Sequence, residues 1–199
     1  MFTIFTLIVL LFSLVIHEVS HGLAAESLGD NTAKDQGRLS LNPLKHLDPF
    51  GSVLVPLLLF MVTAGRGPLF GWAKPVPVNP YNFKDQKWGL LKVSLAGPAA
   101  NFLVAVFFAL AIRFFPLPEL MIQLLGTIVL YNLLWGFFNL VPIPPLDGSS
   151  ILFSLLPEEF SRVRLFFHQY GPFLLVFFVL FGFRFLNAIV FSVFKFLVG

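Results

Sequence analysis

The chain has 199 residues, of which 57% are apolar, 12% are charged and 27 are phenylalanine, and its net charge is +3. Soluble domains carry about 25% charged residues, so this composition excludes an ordinary soluble fold and predicts an all-α integral membrane protein. The chain contains no cysteine, which excludes disulfides and thiolate metal ligands, and it has no basic run that would indicate a nucleic-acid partner.

The first apolar stretch, residues 2–28, contains the motif H-E-x-x-H at His17, Glu18 and His21. Residues four positions apart share a helical face, so both imidazoles can bind one metal ion while Glu18 deprotonates a metal-activated water. The alternative, a purely structural histidine pair, would bury ionisable groups in a membrane without a partner. Because no basic region or small-residue cleavage site precedes His17, we expect a retained transmembrane helix that ends near Gly29.

The second apolar stretch, residues 49–65, is charge-free but is interrupted by Pro49, Gly51 and Pro56. Its length is at the short limit for a membrane crossing. The metal site inferred below requires the third apolar stretch to start on the membrane face where the first helix ends. A full crossing by residues 49–65 would start it on the other face. We therefore expect residues 49 to about 80 to form a re-entrant helix followed by extended chain that lines the active site.

Three further apolar stretches, residues 89–115, 119–141 and 171–197, are each long enough for a full crossing, which predicts four full transmembrane helices in all. The fourth stretch is stopped by Pro142 and is followed by Asp147, which ends a charge-free run. An ionised carboxylate is costly in this setting, and a divalent cation would compensate it. An Asp-Gly turn at the membrane surface is the alternative interpretation.

The charge distribution predicts how the chain is oriented in the membrane. Asp147 can reach the two imidazoles only if the fourth stretch ends on the same membrane face as the C-terminal part of the first helix. That face would carry most of the basic residues, and the positive-inside rule makes it cytoplasmic. The basic residues expected on it are Lys34, Arg38, Lys45, Lys74, Lys84, Lys87, Arg162 and Arg164. Both chain termini would then lie outside, with the active site toward the cytoplasm.

The remaining segments are expected to complete a single domain over residues 1–199, with its core at residues 2–152. Residues 157–170 combine charged and apolar positions at helical spacing, which predicts an interfacial helix before the last crossing. His46 is expected near the active-site face, as an ordinary hydrogen-bonding residue or as one that tunes access or binds a second metal. His168 is expected to be structural or solvated.

The segment from Asn139 to Gly148 reads N-L-V-P-I-P-P-L-D-G, in which the prolines frame an unwound turn at the end of a membrane segment. With H-E-x-x-H upstream, it resembles the signature of the site-2 protease family of intramembrane metalloproteases, peptidase family M50. The sequences A-G-P-A-A-N at 96–101 and G-W-A-K-P-V-P-V-N-P at 71–80 are similar to segments of that family, the second to its short prokaryotic members. The resemblance covers most of residues 10–152, and no PDZ-like or CBS-like domain is expected.

The resemblance implies an intramembrane zinc metalloprotease that hydrolyses peptide bonds in or near the transmembrane segments of membrane proteins. It implies one zinc ion per chain, with His17, His21 and Asp147 as ligands and Glu18 as general base. Asn139 matches a family asparagine thought to position substrate, although a helix-end hydrogen bond would explain it equally well. Such an enzyme would be a multi-pass protein of a prokaryotic cell membrane, with the lipid bilayer and membrane-protein or peptide substrates as its partners.

Two questions stay open at the level of sequence. A helical substrate must unwind before its carbonyls can be attacked, and residues 37–44 or 72–80 could offer it an edge strand. The chain could also be a metal transporter or a non-catalytic membrane scaffold with a structural metal. Against transport, one compact ligand set is evident, and a transporter has no use for Glu18. No feature of the sequence specifies an oligomeric state or a particular substrate.

Overall fold

The computed structural model describes residues 2–64 and 73–199, and within these ranges its regular elements are helices, with no β-strand. The α-helices are α1 (Phe2–Ser27), α2 (Thr32–Asp35), α3 (Val55–Val62), α4 (Gly89–Phe114), α5 (Glu119–Asn139), α6 (Asp147–Leu155), α7 (Ser161–Phe177) and α8 (Phe183–Val198). Two π-helical turns precede α3 and α8, at Pro49–Leu54 and Phe178–Gly182. The all-α expectation is confirmed for the described residues.

Four helical segments are long and apolar enough to cross a membrane, which confirms the expected number of full-length spans. They are Thr3–Ser27, Gly89–Phe114, Glu119–Asn139 and Ser161–Val198. Their outward faces carry large apolar side chains: Leu7, Leu103 and Phe185 are 61%, 72% and 72% exposed. Such faces are unfavourable in water but match the hydrocarbon of a bilayer, so the chain is a multi-pass membrane protein.

Helix α4 is central to the bundle and packs against α1, α5, α6 and α8. Its buried Ala105 and Ala109 form a core cluster that includes Val129 and Leu133 of α5 and Val190 of α8. Lipid tails are as apolar as these side chains, so the hydrophobic effect does little to hold membrane helices together. Close packing over small residues and buried hydrogen bonds must therefore stabilise the bundle.

The buried carboxylate of Asp30 ties the chain that leaves α1 to the segment that precedes α4. Gly29 has a φ of +105° and ends α1 in a conformation that glycine adopts without strain, as the sequence predicts. Asp30 then accepts hydrogen bonds from the side chains of Thr32 and Asn82 and from the N–H of Asn79. Burial raises the pKa of Asp30, but these hydrogen bonds outweigh that effect and leave the pKa below its ordinary value.

Residues 73–83, which we call the strap, return the chain from α3 to the side of α1. At the start of the strap, Ala73 forms an antiparallel β-bridge with Leu47. The N–H of Lys74 donates to the carbonyl of His46 at 2.9 Å. The buried guanidinium of Arg38 donates to the Lys74 carbonyl at 2.8 Å. The chain around α3 therefore leaves and returns at the same place.

The two histidines outside the H-E-x-x-H motif make ordinary contacts. His46 has no exposed surface, and its Nε2 lies 2.8 Å from the carbonyl oxygen of Ser40. The His168 ring lies against Phe153, with 5.4 Å between the ring centroids. Among the residues that the structure describes, neither belongs to a group of metal ligands. These contacts match the structural interpretation of both residues.

Helices α7 and α8 join through a π-helical turn into one helix of 38 residues. At 1.5 Å per residue its length is about 57 Å, which exceeds the roughly 30 Å of bilayer hydrocarbon. Its first turn carries Arg162 and Arg164. The expected boundary between an interfacial helix at 157–170 and a span at 171–197 falls inside α7. A pattern of mixed charged and apolar residues suits the solvated end of a long helix as well as a separate interfacial one, so the sequence could not distinguish them.

Replacing Asp30 with asparagine should lower the free energy of unfolding by about 1–3 kcal/mol near neutral pH, because buried donors lose a charged acceptor. Since the folded pKa of Asp30 lies below its ordinary value, the carboxylate stabilises the fold above the unfolded pKa, and this contribution is lost as pH falls through the folded pKa. The stability difference should therefore shrink on acidification below about pH 4. Thermal unfolding in detergent measures it, and a difference that is independent of pH would contradict an ionised Asp30.

Candidate metal centre

His17 and His21 lie on successive turns of α1, and their Nε2 atoms are 3.0 Å apart. Asp147, the first residue of α6, places its Oδ2 3.0 Å from the Nε2 of His17 and 3.2 Å from that of His21. Both histidines are buried, with 3% and 9% of their surface exposed. The structure therefore brings the two parts of the predicted ligand set together, although they are far apart in the sequence.

The second nitrogen of each ring faces an acceptor on α4. Nδ1 of His17 lies 2.8 Å from Oδ1 of Asn101, and Nδ1 of His21 lies 2.7 Å from the carbonyl oxygen of Val93. An acceptor at Nδ1 places the ring hydrogen there, so the Nε2 lone pair of each neutral ring faces Asp147. The buried Oδ2 of Asp147 has no hydrogen-bond donor among the described residues.

Three electron-pair donors thus converge with no hydrogen between them. Such donors repel one another, and a buried carboxylate oxygen without a partner is costly. A cation at their centre would remove both penalties. Two imidazole nitrogens and one carboxylate oxygen suit a catalytic zinc ion, which keeps a fourth position for water. The residues present therefore fit a zinc ion.

Glu18 follows His17 in the chain and lies in the same cavity, which has a volume of about 270 Å³ and is also lined by Val76, Asn139 and Asp147. Its Oε2 accepts a hydrogen bond of 2.8 Å from the N–H of Val76 in the strap. This contact holds one oxygen of the carboxylate and leaves the other able to take a proton.

Asn139, the last residue of α5, also lines the cavity and is 8% exposed. Its Nδ2 donates to the carbonyl of Trp135 at 3.0 Å, which is the helix-end hydrogen bond considered as the alternative. An amide nitrogen carries two hydrogens, so this contact leaves one hydrogen and the oxygen of Asn139 for a ligand. The structural and the substrate-positioning interpretations are therefore compatible.

Helix α4 approaches the imidazoles closely because residue 97 is glycine. A Cβ at this position would lie 2.5 Å from the Nε2 of His21 and 2.7 Å from the Cε1 of His17, closer than real side chains approach. The A-G-P sequence that contains Gly97 thus places helix backbone directly against the predicted ligands. The sequence alone does not reveal this role, because it depends on where α1 crosses α4.

Three residues contribute contacts that sequence interpretation missed. Asn101 left a signal, because a polar amide inside the apolar stretch 89–115 needs a partner in a membrane. Val93 and Val76 left no signal in the sequence. They act through a backbone carbonyl and a backbone N–H, which nearly every residue type possesses.

A model of Peptidase family M50 matches residues 117–182, a range that includes Asn139 and Asp147. The "Putative zinc metalloprotease YwhC" of Bacillus subtilis is 39% identical over 186 residues, which are 89% of this chain and 80% of that protein. The "Putative zinc metalloprotease Rip2" of Mycolicibacterium smegmatis is 33% identical over 81% of this chain and 61% of its own length.

The "Zinc metalloprotease MJ0392" of Methanocaldococcus jannaschii is 33% identical over 41% of this chain and 24% of its own length. No solved structure matches the chain.

We expect Gly97→Ala to displace the imidazoles and to weaken zinc binding by roughly 10–100-fold, as other losses of ligand orientation do. Gly126→Ala is the matched control, because a Cβ there would lie 3.6 Å from the Phe194 ring, an ordinary contact. Elemental analysis of the purified proteins after dialysis against a chelator measures the effect, and circular dichroism checks the fold. A folded Gly97→Ala protein that retains zinc as the wild type does would contradict the close approach.

Proposed function

The chain belongs to peptidase family M50 and is a zinc metalloprotease, and on this premise we propose that it hydrolyses peptide bonds in or near the transmembrane segments of membrane proteins. The observation that carries the proposal is the position of the ligand cluster. His17 and His21 lie within Thr3–Ser27, a segment long and apolar enough to cross a membrane. Ionisable side chains at such a position are costly unless they serve a site, so substrate would reach them at or below the membrane surface.

We propose that His17, His21 and Asp147 hold the zinc ion. The supporting observations are the converging lone pairs and the unpartnered Oδ2 of Asp147. When bound, a zinc ion lowers the pKa of a water molecule and polarises a carbonyl group. One ion per chain is expected, since the described residues contain this one group of ligands.

Glu18 is proposed as the general base and then the general acid. The N–H of Val76 holds its Oε2, so the carboxylate stays beside the ligand cluster in the cavity. Its free oxygen can take a proton from the attacking water and return it to the amine of the departing product. The remaining amide hydrogen of Asn139 can donate to the scissile carbonyl, where negative charge develops.

We propose that unwound substrate docks along the strap. The sequence predicted a docking edge at 72–80, and the strap contains the part of that range that the structure describes. Val76 and Val78 line the cavity, and alternate residues of an extended chain direct their N–H groups to the same side. Pro75 precedes Val76 in the strap and would direct its backbone to the opposite side, but proline has no N–H to donate there. Residues 37–44 are less suited, because none of them lines this cavity.

We also propose that residues 49 to about 80 enter the membrane and return on the same side. The pairing of Leu47 with Ala73 supports this path, because the chain around α3 comes back to where it left. The apolar helical segment Pro49–Val62 is shorter than the crossing helices, and residues 65–72 lie outside the described part of the chain. By the positive-inside rule, this side is the cytoplasmic face of a prokaryotic cell membrane.

Metal transport and a non-catalytic scaffold are the two other functions that the sequence allowed. Membership of a peptidase family favours hydrolysis over both. The position of Glu18 beside the ligand cluster does so as well, since a general base serves neither a transporter nor a structural metal.

Glu18→Gln tests the proposed chemistry, because glutamine keeps the volume of the side chain but cannot take a proton. We expect cleavage of an unstructured fluorogenic peptide by the purified protein to fall by about 10²–10⁴-fold, the usual contribution of a general base. Zinc content should stay near one per chain. The matched variant His17→Ala should lose both zinc and cleavage.

Proteomics of membranes that contain wild type or Glu18→Gln then addresses the natural substrates. We expect single-span membrane proteins to accumulate in full length with the Glu18→Gln protein. Undiminished peptide cleavage by Glu18→Gln would reject the catalytic assignment. Loss of peptide cleavage without any accumulating membrane protein would reject the proposed substrate class.

Val78→Pro tests the docking edge, because it removes one N–H from the side of the strap that faces the cavity. Removal of a hydrogen bond to substrate should lower cleavage of the peptide by roughly fivefold or more, since such bonds contribute about 1 kcal/mol. Zinc content should be unchanged. Val78→Ala is the control, since it shortens the side chain but keeps the N–H. Equal cleavage by the proline and alanine variants would exclude this N–H as a substrate contact.

A further inference from the structure

Asn101 lies in the middle of α4, has no exposed surface, and contacts His17 of the metal centre. Its Oδ1 is 2.8 Å from the Nδ1 of His17. Its Nδ2 donates to the carbonyl of Ser13 at 3.0 Å and to the Oδ1 of Asn132 at 2.9 Å. Every polar atom of this side chain therefore has a partner, and the partners come from α1 and α5.

These partners fix which way the amide of Asn101 faces. The carbonyl oxygen of Ser13 can only accept, so it requires the amide nitrogen on that side. Asn132 donates its own Nδ2 to the carbonyl of Ile128 at 2.9 Å, which leaves its Oδ1 to accept from Asn101. A flipped amide would place oxygen against both acceptors. The Oδ1 of Asn101 therefore faces His17 and accepts the hydrogen of its Nδ1.

The hydrogen bonds form one directed chain across three helices. His17 donates to Asn101, Asn101 donates to Asn132, and Asn132 donates to the carbonyl of Ile128. Two fully buried amides are expensive in a membrane-spanning bundle, and apolar side chains would pack α4 against α5 without this cost. The other imidazole, of His21, receives the same support from a backbone carbonyl.

We propose that Asn101, anchored by Asn132, is a positioning residue that holds His17 in the tautomer and orientation needed to bind zinc through Nε2. The inference rests on the proposed ligand set. A metal-binding histidine commonly donates its second nitrogen to an acceptor, and loss of that acceptor costs about 10–100-fold in metal affinity. The amide supplies an acceptor without adding a negative charge to the interior of the bundle.

The test measures the zinc dissociation constant of the full chain in detergent, by competition with a chromogenic chelator. Asn101→Ala should bind zinc roughly 10–100-fold more weakly than the wild type. Asn101→Asp keeps the acceptor for His17 but loses both donors, so it should bind zinc more tightly than Asn101→Ala. Val129→Ala, at a fully buried position one turn before Asn132, is the control and should keep the wild-type affinity.

The zinc-free proteins separate positioning from stability. A merely structural Asn101 predicts that Asn101→Ala and Val129→Ala both unfold at lower temperature but keep the wild-type zinc affinity. That result would overturn the inference, as would an Asn101→Asp protein that binds zinc as weakly as Asn101→Ala. If neither Asn101 variant folds, Asn132→Leu decides the question: weaker zinc binding supports the chain of hydrogen bonds, and unchanged binding overturns it.

His17→Ala distinguishes this inference from the function on which it rests. If His17→Ala retains zinc, the proposed ligand set is wrong. If His17→Ala loses zinc while Asn101→Ala binds it as the wild type does, the ligand set stands and only the role of Asn101 is refuted.

Discussion

Two imidazole nitrogens and one carboxylate oxygen face one another within 3.2 Å inside the bundle, and each directs a lone pair toward the others. Because both histidines are buried, this arrangement is unfavourable unless a cation lies between the three groups. The rest of the structure is organised around that requirement. The unwound turn after α5 brings Asp147 back to α1, and glycine at position 97 lets α4 approach the rings.

Polar contacts have a large part in this fold because its solvent is apolar. Hydrophobic burial does not distinguish the inside of the bundle from the lipid around it, so hydrogen bonds and close packing must specify which helices meet. The amides of Asn101 and Asn132 connect α1, α4 and α5 at one level. Asp30 and Arg38 connect the strap to the chain that follows α1. The first set includes the contact of Asn101 with His17, and the second holds the strap, whose Val76 N–H donates to Glu18.

The proposed protease must admit both water and an extended peptide to a site among membrane helices. The strap suits this task, because it is irregular chain held at both ends by buried charged side chains rather than by helical packing. Its Val76 N–H contacts Glu18, so the proposed general base and the proposed docking edge are adjacent. Val76 and Val78 of the strap also line the cavity that contains the predicted zinc ligands.

Features that depend on local spacing were predictable from the sequence alone. The i, i+4 histidines with Glu18, the stop at Gly29 and the crossing lengths of α1, α4 and α5 all follow from helix geometry and bilayer thickness. Tertiary structure alone decided the contacts of Gly97, the Val93 carbonyl and the Val76 N–H, because glycine and backbone groups carry no signature of what lies opposite them. It also decided that α7 continues into α8, since an amphipathic pattern suits either a separate helix or the solvated end of a long one.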